Sequence, residues 1–491
     1  MQEIVDAMPE DFDRDPVEAL NRRPTKFDAD GQPVGTETVF SPWDLRAGRD
    51  ISGRDQSRKA LSMLDHGVLI RLGDILPGRA PCAQADRAEL LVDRLEHRTL
   101  AAMQAADLSA ARLAESPWSD DYWALYLGVL GKRYADSSFP GAEDWQENYD
   151  YIQRHPAREI VARADAGAID RLSPSEKYDI LVGDTAMGLT QRMWAEGKYY
   201  HDHNGEVEPW MGICHGWAPA SYCLPRPQRA VDVLAADGRT QLRFYPSDIK
   251  ALGTLLWANA DTVSRFVGGR CNDKKPAVDA SGRLVSERCF DTNPGTFHLS
   301  VVNQIGVCRR SAVIDATFDY EVWNQPISGY RYALFNPQTR RYVPDLAAAT
   351  VSRAAYTRDH FAAHRGAGAV AFVGVMMQLS YVVETNPSHA LTDGPGQDKL
   401  RTARYLYDLE LDADGQIIGG EWYTNKHPDF LWTPPPNTRA RTPADALLGG
   451  SWAAGTPVPE GWRRPAWRAS DSASPSPLAA IVEALIERSR G

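Results

Sequence analysis

C-x-x-C pairs, long apolar runs and a positive charge excess are all missing from this chain of 491 residues. Six cysteines are too few for a disulfide scaffold, and Cys82, Cys214, Cys223, Cys271, Cys289 and Cys308 contain no C-x-x-C pair of the kind that marks a zinc site. The longest apolar run, residues 367–377, is broken by Gly368 and Gly374 and reads as a buried strand. It falls short of the roughly 18 residues a membrane span needs, so no span is expected. Lys+Arg 54 against Asp+Glu 65 gives a net charge of −11, which argues against a nucleic-acid or anionic-membrane partner. The first residues, Met1 to Asp6, are acidic and lack a signal-peptide core.

What is present is ordinary globular composition, 43% hydrophobic and 24% charged, on a chain long enough for a large core. Residues 1–55 are polar and without period, and read as an irregular arm or propeptide. Residues 56–170 read as helical; Leu90, Leu91, Leu95, Leu100 and Met103 suggest a helix within 85–113. Ser173-Pro174-Ser175-Glu176 is a capping box with proline in the first turn, so a helix is expected from there towards Trp194, stopping at Gly197. Residues 171–435 form the candidate catalytic domain. Strands are expected at 297–307, 312–318, 369–381, 405–411 and 417–423, the last two joined by the turn Asp412-Ala413-Asp414-Gly415. Residues 436–491 read as a Pro-rich linker and an amphipathic helix whose stripe is Leu478, Ile481, Val482, Leu485 and Ile486.

The segment Trp210-Met211-Gly212-Ile213-Cys214-His215-Gly216-Trp217-Ala218-Pro219 places a cysteine at a helix start. Free N–H groups there favour a thiolate and can hold an oxyanion, so a lowered thiol pKa is expected; the bland alternative is a core cysteine. Pro219 implies a short or displaced first turn. His298 lies on the expected strand 297–307, and Asp315 follows it by seventeen residues. An antiparallel pair turning near 306–307 would set the two opposite each other, the carboxylate holding one imidazole nitrogen and leaving the other for a thiol. A shifted turn would bring Asp319 or Asn324 there instead. His215 points away from its neighbour and is a weaker base. His201 and His203, in an expected loop, lack further metal ligands. Residues 421–429 read as a structured loop or part of an acyl-donor groove. Cys271 and Cys289 bracket a polar loop of 17 residues that a disulfide would stabilise by roughly 3 kcal/mol, which suits an oxidising compartment.

The order Cys, His, Asp is that of papain-like and transglutaminase-like folds. Val313-Ile314-Asp315-Ala316-Thr317-Phe318 resembles a transglutaminase core strand. Val322-Trp323-Asn324-Gln325-Pro326, followed by Gly329-Tyr330, resembles the oomycete-type transglutaminase elicitor family. So do Ser173 to Asp179 and Cys214 to Pro219, while Ile327-Ser328 and Arg331-Tyr332-Ala333 depart from the family's pattern. The resemblance covers about residues 170–435, more loosely back to about 60. It implies an α+β fold: a papain/transglutaminase-like core, with a central helix carrying the cysteine and an antiparallel sheet carrying His and Asp, in a mainly helical protein. It implies a protein-glutamine γ-glutamyltransferase with Cys214 as nucleophile, His298 as base and Asp315 as its orienter. Trp210 and Trp217, which flank the cysteine, would either wall the thioester or pack a core.

The substrates would be proteins bearing glutamine and lysine, or primary amines. An extracellular or periplasmic location is implied. Calcium is a possible cofactor by resemblance; the sequence has no EF-hand loop and Asp412 with Asp414 suits a turn, so no metal ligand is assigned. The same triad would also serve a cysteine peptidase, amidase or deamidase, and the fold could persist in a non-catalytic binding or elicitor protein.

Overall fold

A computed structural model describes residues 86–269, 277, 290–316, 321–423 and 427–491, together with a strand pair at Thr25–Phe27 and Pro33–Thr36. The architecture is α+β. Its sheet has ten strands: β1 (Ala110–Arg112), β2 (Arg265–Gly268), β3 (Val313–Asp315), β4 (Asn324–Asn336), β5 (Arg341–Tyr342), β6 (Thr350–Ser352), β7 (Ala371–Val383), β8 (Lys399–Leu411), β9 (Ile417–Trp422) and β10 (Phe430–Thr433). The main path runs β9-β8-β7-β4-β3-β10-β2, every pair antiparallel. The sheet packs beside a large helical core.

The helices that place the site are α1 (Pro174–Val182), α2 (Gly188–Asn204), α3 (Cys214–Cys223), α4 (Pro246–Asn259), α5 (Pro294–Val301), α6 (Glu460–Ser470) and α7 (Ala479–Arg490). The capping box forms as expected: Ser173 Oγ accepts from Glu176 N, and the Glu176 carboxylate accepts from Ser173 N. The helix does not reach Trp194. Gly183 adopts φ 70°, a left-handed conformation that ends α1, and α2 starts afresh. Gly197 stays inside α2, where the Trp145 indole and the Leu125 carbonyl press too close for a side chain.

Three other expectations change. Residues 88–112 break into a short 3-10 turn, a helix at Leu100–Ala105 and β1, so the single helix across 85–113 is absent. Residues 297–307 are helical, with α5 running into π-turns at Val302–Val307. The segment after Pro436 is no linker: Ala440, Trp452 and Val458 are buried in the main helical core. The stripe of α7 is buried in that same core, against α4. The 412–415 hairpin forms as read, with Gly415 at φ 74° and Asp412 Oδ1 accepting from Asp414 N and Gln416 N.

Two cores flank β3. Val313 packs with Ala218 of α3, Phe430 and Trp432, while Ile314 packs with Phe297 of α5 and Leu431. Period-two alternation thus sets α3 and α5 on opposite faces of the strand. Behind α3, a fully buried ion pair fixes α1 to α4: Lys177 Nζ lies 2.8 Å from Asp248 Oδ2, which also accepts from Tyr245 N. Gly216 lets α3 and α4 touch, because a methyl group there would collide with the Thr254 carbonyl and Ala258. Gly216→Ala is therefore expected to cost about 1–3 kcal/mol. Urea unfolding reads this as a lower midpoint; an unchanged midpoint would contradict the close approach.

Candidate active site

Cys214 opens α3 because the preceding chain is pinned from outside. Ile213 N donates to the Tyr122 carbonyl at 2.7 Å, and the Tyr122 hydroxyl donates to the Pro209 carbonyl at 2.7 Å. Gly216 N and Trp217 N then close the first turn on the Ile213 carbonyl. Pro219 sits well inside the helix, against the expectation of a short or displaced first turn. Its ring removes one intrahelical donor, and α3 continues to Cys223.

The thiol is buried, 4% exposed. Its hydrogen-bond partners among the described residues come from the segment Val322 to Asn324, which leads into β4. Asn324 Nδ2 donates to Cys214 Sγ at 3.5 Å, and Sγ lies 3.8 Å from the Val322 carbonyl oxygen. Asn324 is oriented in turn: Trp432 Nε1 donates to its Oδ1 at 2.8 Å, which leaves the NH2 end for sulfur. Burial pushes the thiol up to about 11, with Glu384 and Asp315 adding to the rise; the side-chain amide and backbone N–H of Asn324 oppose it. The lowered thiol pKa expected from the helix start is overturned, because desolvation outweighs the donors.

Asp315 is paired across β3 and β4 with Asn324 itself. Its Oδ1 accepts from Trp323 N at 3.0 Å, so the carboxylate is bound to the Val-Trp-Asn-Gln-Pro strand. Each polar residue of that strand is committed: Trp323 Nε1 donates to Glu321, and Gln325 Nε2 to Glu384 at 2.6 Å. Burial raises Glu384 to about 7.

Cys214, Asn324 and Asp315 are thus brought together, and His298 is not. The hairpin that was to carry His298 opposite Asp315 does not exist, since Asn293 caps and Pro294 starts a helix. His298 Nδ1 instead lies 2.8 Å from the Tyr407 hydroxyl, with the ring against Tyr332, in the core on the α5 side. Burial lowers its pKa to about 3. The sheet carries the aspartate but not the histidine. Asp319 lies outside the described residues, as do Cys82 and the proposed pair Cys271 and Cys289. Cys214, Cys223 and Cys308 are free thiols.

Trp217 is fully buried in the helical core and donates to the Trp118 carbonyl, so it offers no open wall. Trp210 is buried and donates to Glu208 at 2.6 Å. His201 and His203 occupy the last turn of α2 rather than a loop; His201 Nε2 is 3.9 Å from Asp144, and His203 Nδ1 is 2.6 Å from the Tyr199 carbonyl oxygen. Among the described residues no three metal-binding side chains converge, and Asp412 is occupied by its own turn.

His427, in the segment 421–429 expected as a structured loop or part of an acyl-donor groove, was not among the expected bases. It stacks on Trp422, its Nδ1 is 3.6 Å from Asp291 Oδ2, and burial lowers it to about 4. Asp291 is itself raised well above the carboxylate range by burial, with Asp315 and Asp86 adding to the rise. His427 therefore approaches the Asp315 end of the sheet through Asp291. The signal was its place just before β10, the neighbour of β3.

The family model for transglutaminase elicitors matches residues 94–449, more than half of the chain. The chain belongs to the transglutaminase elicitor family. Among curated proteins none matches. The crystal structure of the GP42 transglutaminase from Phytophthora sojae aligns with a TM-score of 0.47 at 23% identity, over 70% of this chain and 88% of that one. No helix among the described residues is long and apolar enough to cross a membrane.

One consequence of the His298 environment is measurable. The folded state keeps this imidazole neutral down to about pH 3, whereas an unfolded one protonates near its ordinary 6.5. Between those values the unfolded chain binds more protons, so stability falls as pH drops. His298→Gln is expected to unfold with about one proton less taken up in that window, seen as a shallower fall of unfolding free energy with pH. An identical slope in both proteins would contradict the buried neutral imidazole.

Proposed function

We propose that this transglutaminase-like protein is a protein-glutamine γ-glutamyltransferase whose nucleophile is Cys214. The observation that supports this most is the pairing of Cys214 at a helix start with the amide of Asn324, which belongs to the Val-Trp-Asn-Gln-Pro strand. In this reading Cys214 Sγ attacks the side-chain carboxamide of a protein glutamine. Ammonia leaves and a thioester remains. A lysine or other primary amine then attacks the thioester and gives an isopeptide bond. Water in place of the amine would give deamidation, so a buried site with little water favours transfer.

The high thiol pKa bears on how the reaction starts. A neutral thiol at rest needs a base that takes its proton as sulfur attacks. His427, a buried imidazole that faces Asp291 beside Asp315, is one group for this; His298, expected from the sequence, sits against Tyr407 on the α5 side of β3 and would have to move to reach the sulfur. Asp315 would orient or stabilise the imidazolium. Catalytic hydrogen bonds of this type commonly tighten only with substrate bound. Proteins bearing glutamine and lysine are the proposed substrates, and an extracellular or periplasmic space the proposed location.

Incorporation of a fluorescent primary amine into casein tests the reading, with and without calcium and reductant. Cys214→Ala is expected to abolish labelling, and loss of the true base, in His298→Ala or His427→Ala, to lower it by roughly 10²–10⁴-fold. Labelling that persists in Cys214→Ala would overturn the proposal. Cys214-dependent ammonia release without amine uptake would make the protein a deamidase or related hydrolase.

A further inference from the structure

The acyl-transfer reading needs a group to hold the negative oxygen that forms when sulfur adds to the carboxamide. We propose that Asn324 is that group: its side-chain amide, turned onto Cys214 Sγ and locked by Trp432, forms an oxyanion hole with the N–H groups at the start of α3. This rests on the acyl-transfer reading and names a catalytic residue within it.

The geometry supports it on three counts. First, the amide cannot easily turn over. Its Oδ1 accepts from Trp432 Nε1 at 2.8 Å, so a flip would set NH2 against an indole N–H. The NH2 end therefore stays 3.5 Å from sulfur. Second, the ladder leaves the Asn324 backbone free of β3. Ala316 N donates to the Trp323 carbonyl, Trp323 N donates to Asp315 Oδ1, and Asp315 and Asn324 are directly opposite. In an antiparallel pair the next position is of the type that does not exchange hydrogen bonds, so the Asn324 N–H points away from β3. It acts on the thiol in the same sense as the side chain. Third, Cys214 is the first residue of α3, where backbone N–H groups have no partner within the helix.

The step balances with these donors and the base of the acyl-transfer reading, which takes the proton from the thiol and passes it to the leaving nitrogen. The sulfur pair forms the C–S bond while the carbonyl π pair moves onto oxygen. Asn324 Nδ2–H and the Cys214 N–H donate to that oxygen. The carbonyl re-forms, the C–N bond breaks, and nitrogen leaves as ammonia with the proton that the thiol gave up. A preorganised donor in a dry site acts on the charged oxygen far more than on the starting amide.

Two variants and two readouts test it. Asn324→Ala removes the donor, and Asn324→Asp keeps the acceptor for Trp432 with nearly the same shape; circular dichroism and thermal melting check the fold of both. The first readout is alkylation of Cys214 by iodoacetamide against pH, followed by mass spectrometry, which needs no acyl-transfer activity. Glu384 and Asp315 are the charges that bear on this thiol, and both remain in the variants. The alkylation midpoint is expected to rise in both variants, further in Asn324→Asp, where a carboxylate faces the sulfur. The second readout is amine incorporation into casein, expected to fall by roughly 10²–10³ in kcat with little change in KM. A normal kcat in either folded variant would overturn the role of Asn324 while leaving acyl transfer intact. If the wild type transfers no acyl group, the function reading fails, and with it the oxyanion role; the alkylation profile then reports only whether the amide faces the thiol. An unshifted profile would overturn even that contact.

Discussion

The amide of Asn324 sits between an indole and a thiol, and the arrangement of the surrounding chain depends on that position. Trp432 on β10 fixes one end, Cys214 on α3 receives the other, and Asp315 on β3 lies directly across the ladder. Three strands and one helix therefore meet on a side chain that is 2% exposed. A buried amide with no partner would cost about 1–3 kcal/mol per unsatisfied group, so the site is stable only while all of these elements are docked. The helical side enforces the docking from behind, through Gly216 against α4 and the buried Lys177–Asp248 pair.

The same burial sets the chemistry of the thiol. A helix start and two amide donors pull towards thiolate, yet the removal of water and two nearby carboxylates push harder the other way. The balance favours the protonated sulfur at rest, so under the proposed acyl transfer the thiol would be activated by a base rather than stand ready in an ion pair. Glu384, tied to Gln325 and raised to about 7, links this balance to the strand that carries Asn324. One motif thus supplies both the donor to the sulfur and a partner for a carboxylate that disfavours its charge.

Local signals in the sequence were sufficient where structure is local. The Ser173 capping box and the 412–415 turn form as their chemistry dictates, because each is closed by contacts within four residues. Cys214 at a helix start and Asp315 on a strand were legible from the residues around them, although the contacts that hold both come from distant chain. His298 was misplaced because residues 297–307 are mostly apolar and nearly all buried, a pattern that fits a strand or a core helix equally well. The deciding cue was Asn293-Pro294, a cap followed by a first-turn proline. Asn324 could be set near the site only as an alternative, since its partner Trp432 comes from more than a hundred residues away. No local pattern encodes that pairing.

The central claim is that Cys214 carries an acyl group taken from glutamine. Intact-mass spectrometry of the protein, quenched in acid after incubation with a short glutamine peptide and no amine, tests this directly. A mass gain equal to the peptide less ammonia, mapped to Cys214 and released by hydroxylamine, is the predicted result. Ammonia released with no adduct at Cys214, or an adduct at another residue, would contradict the account.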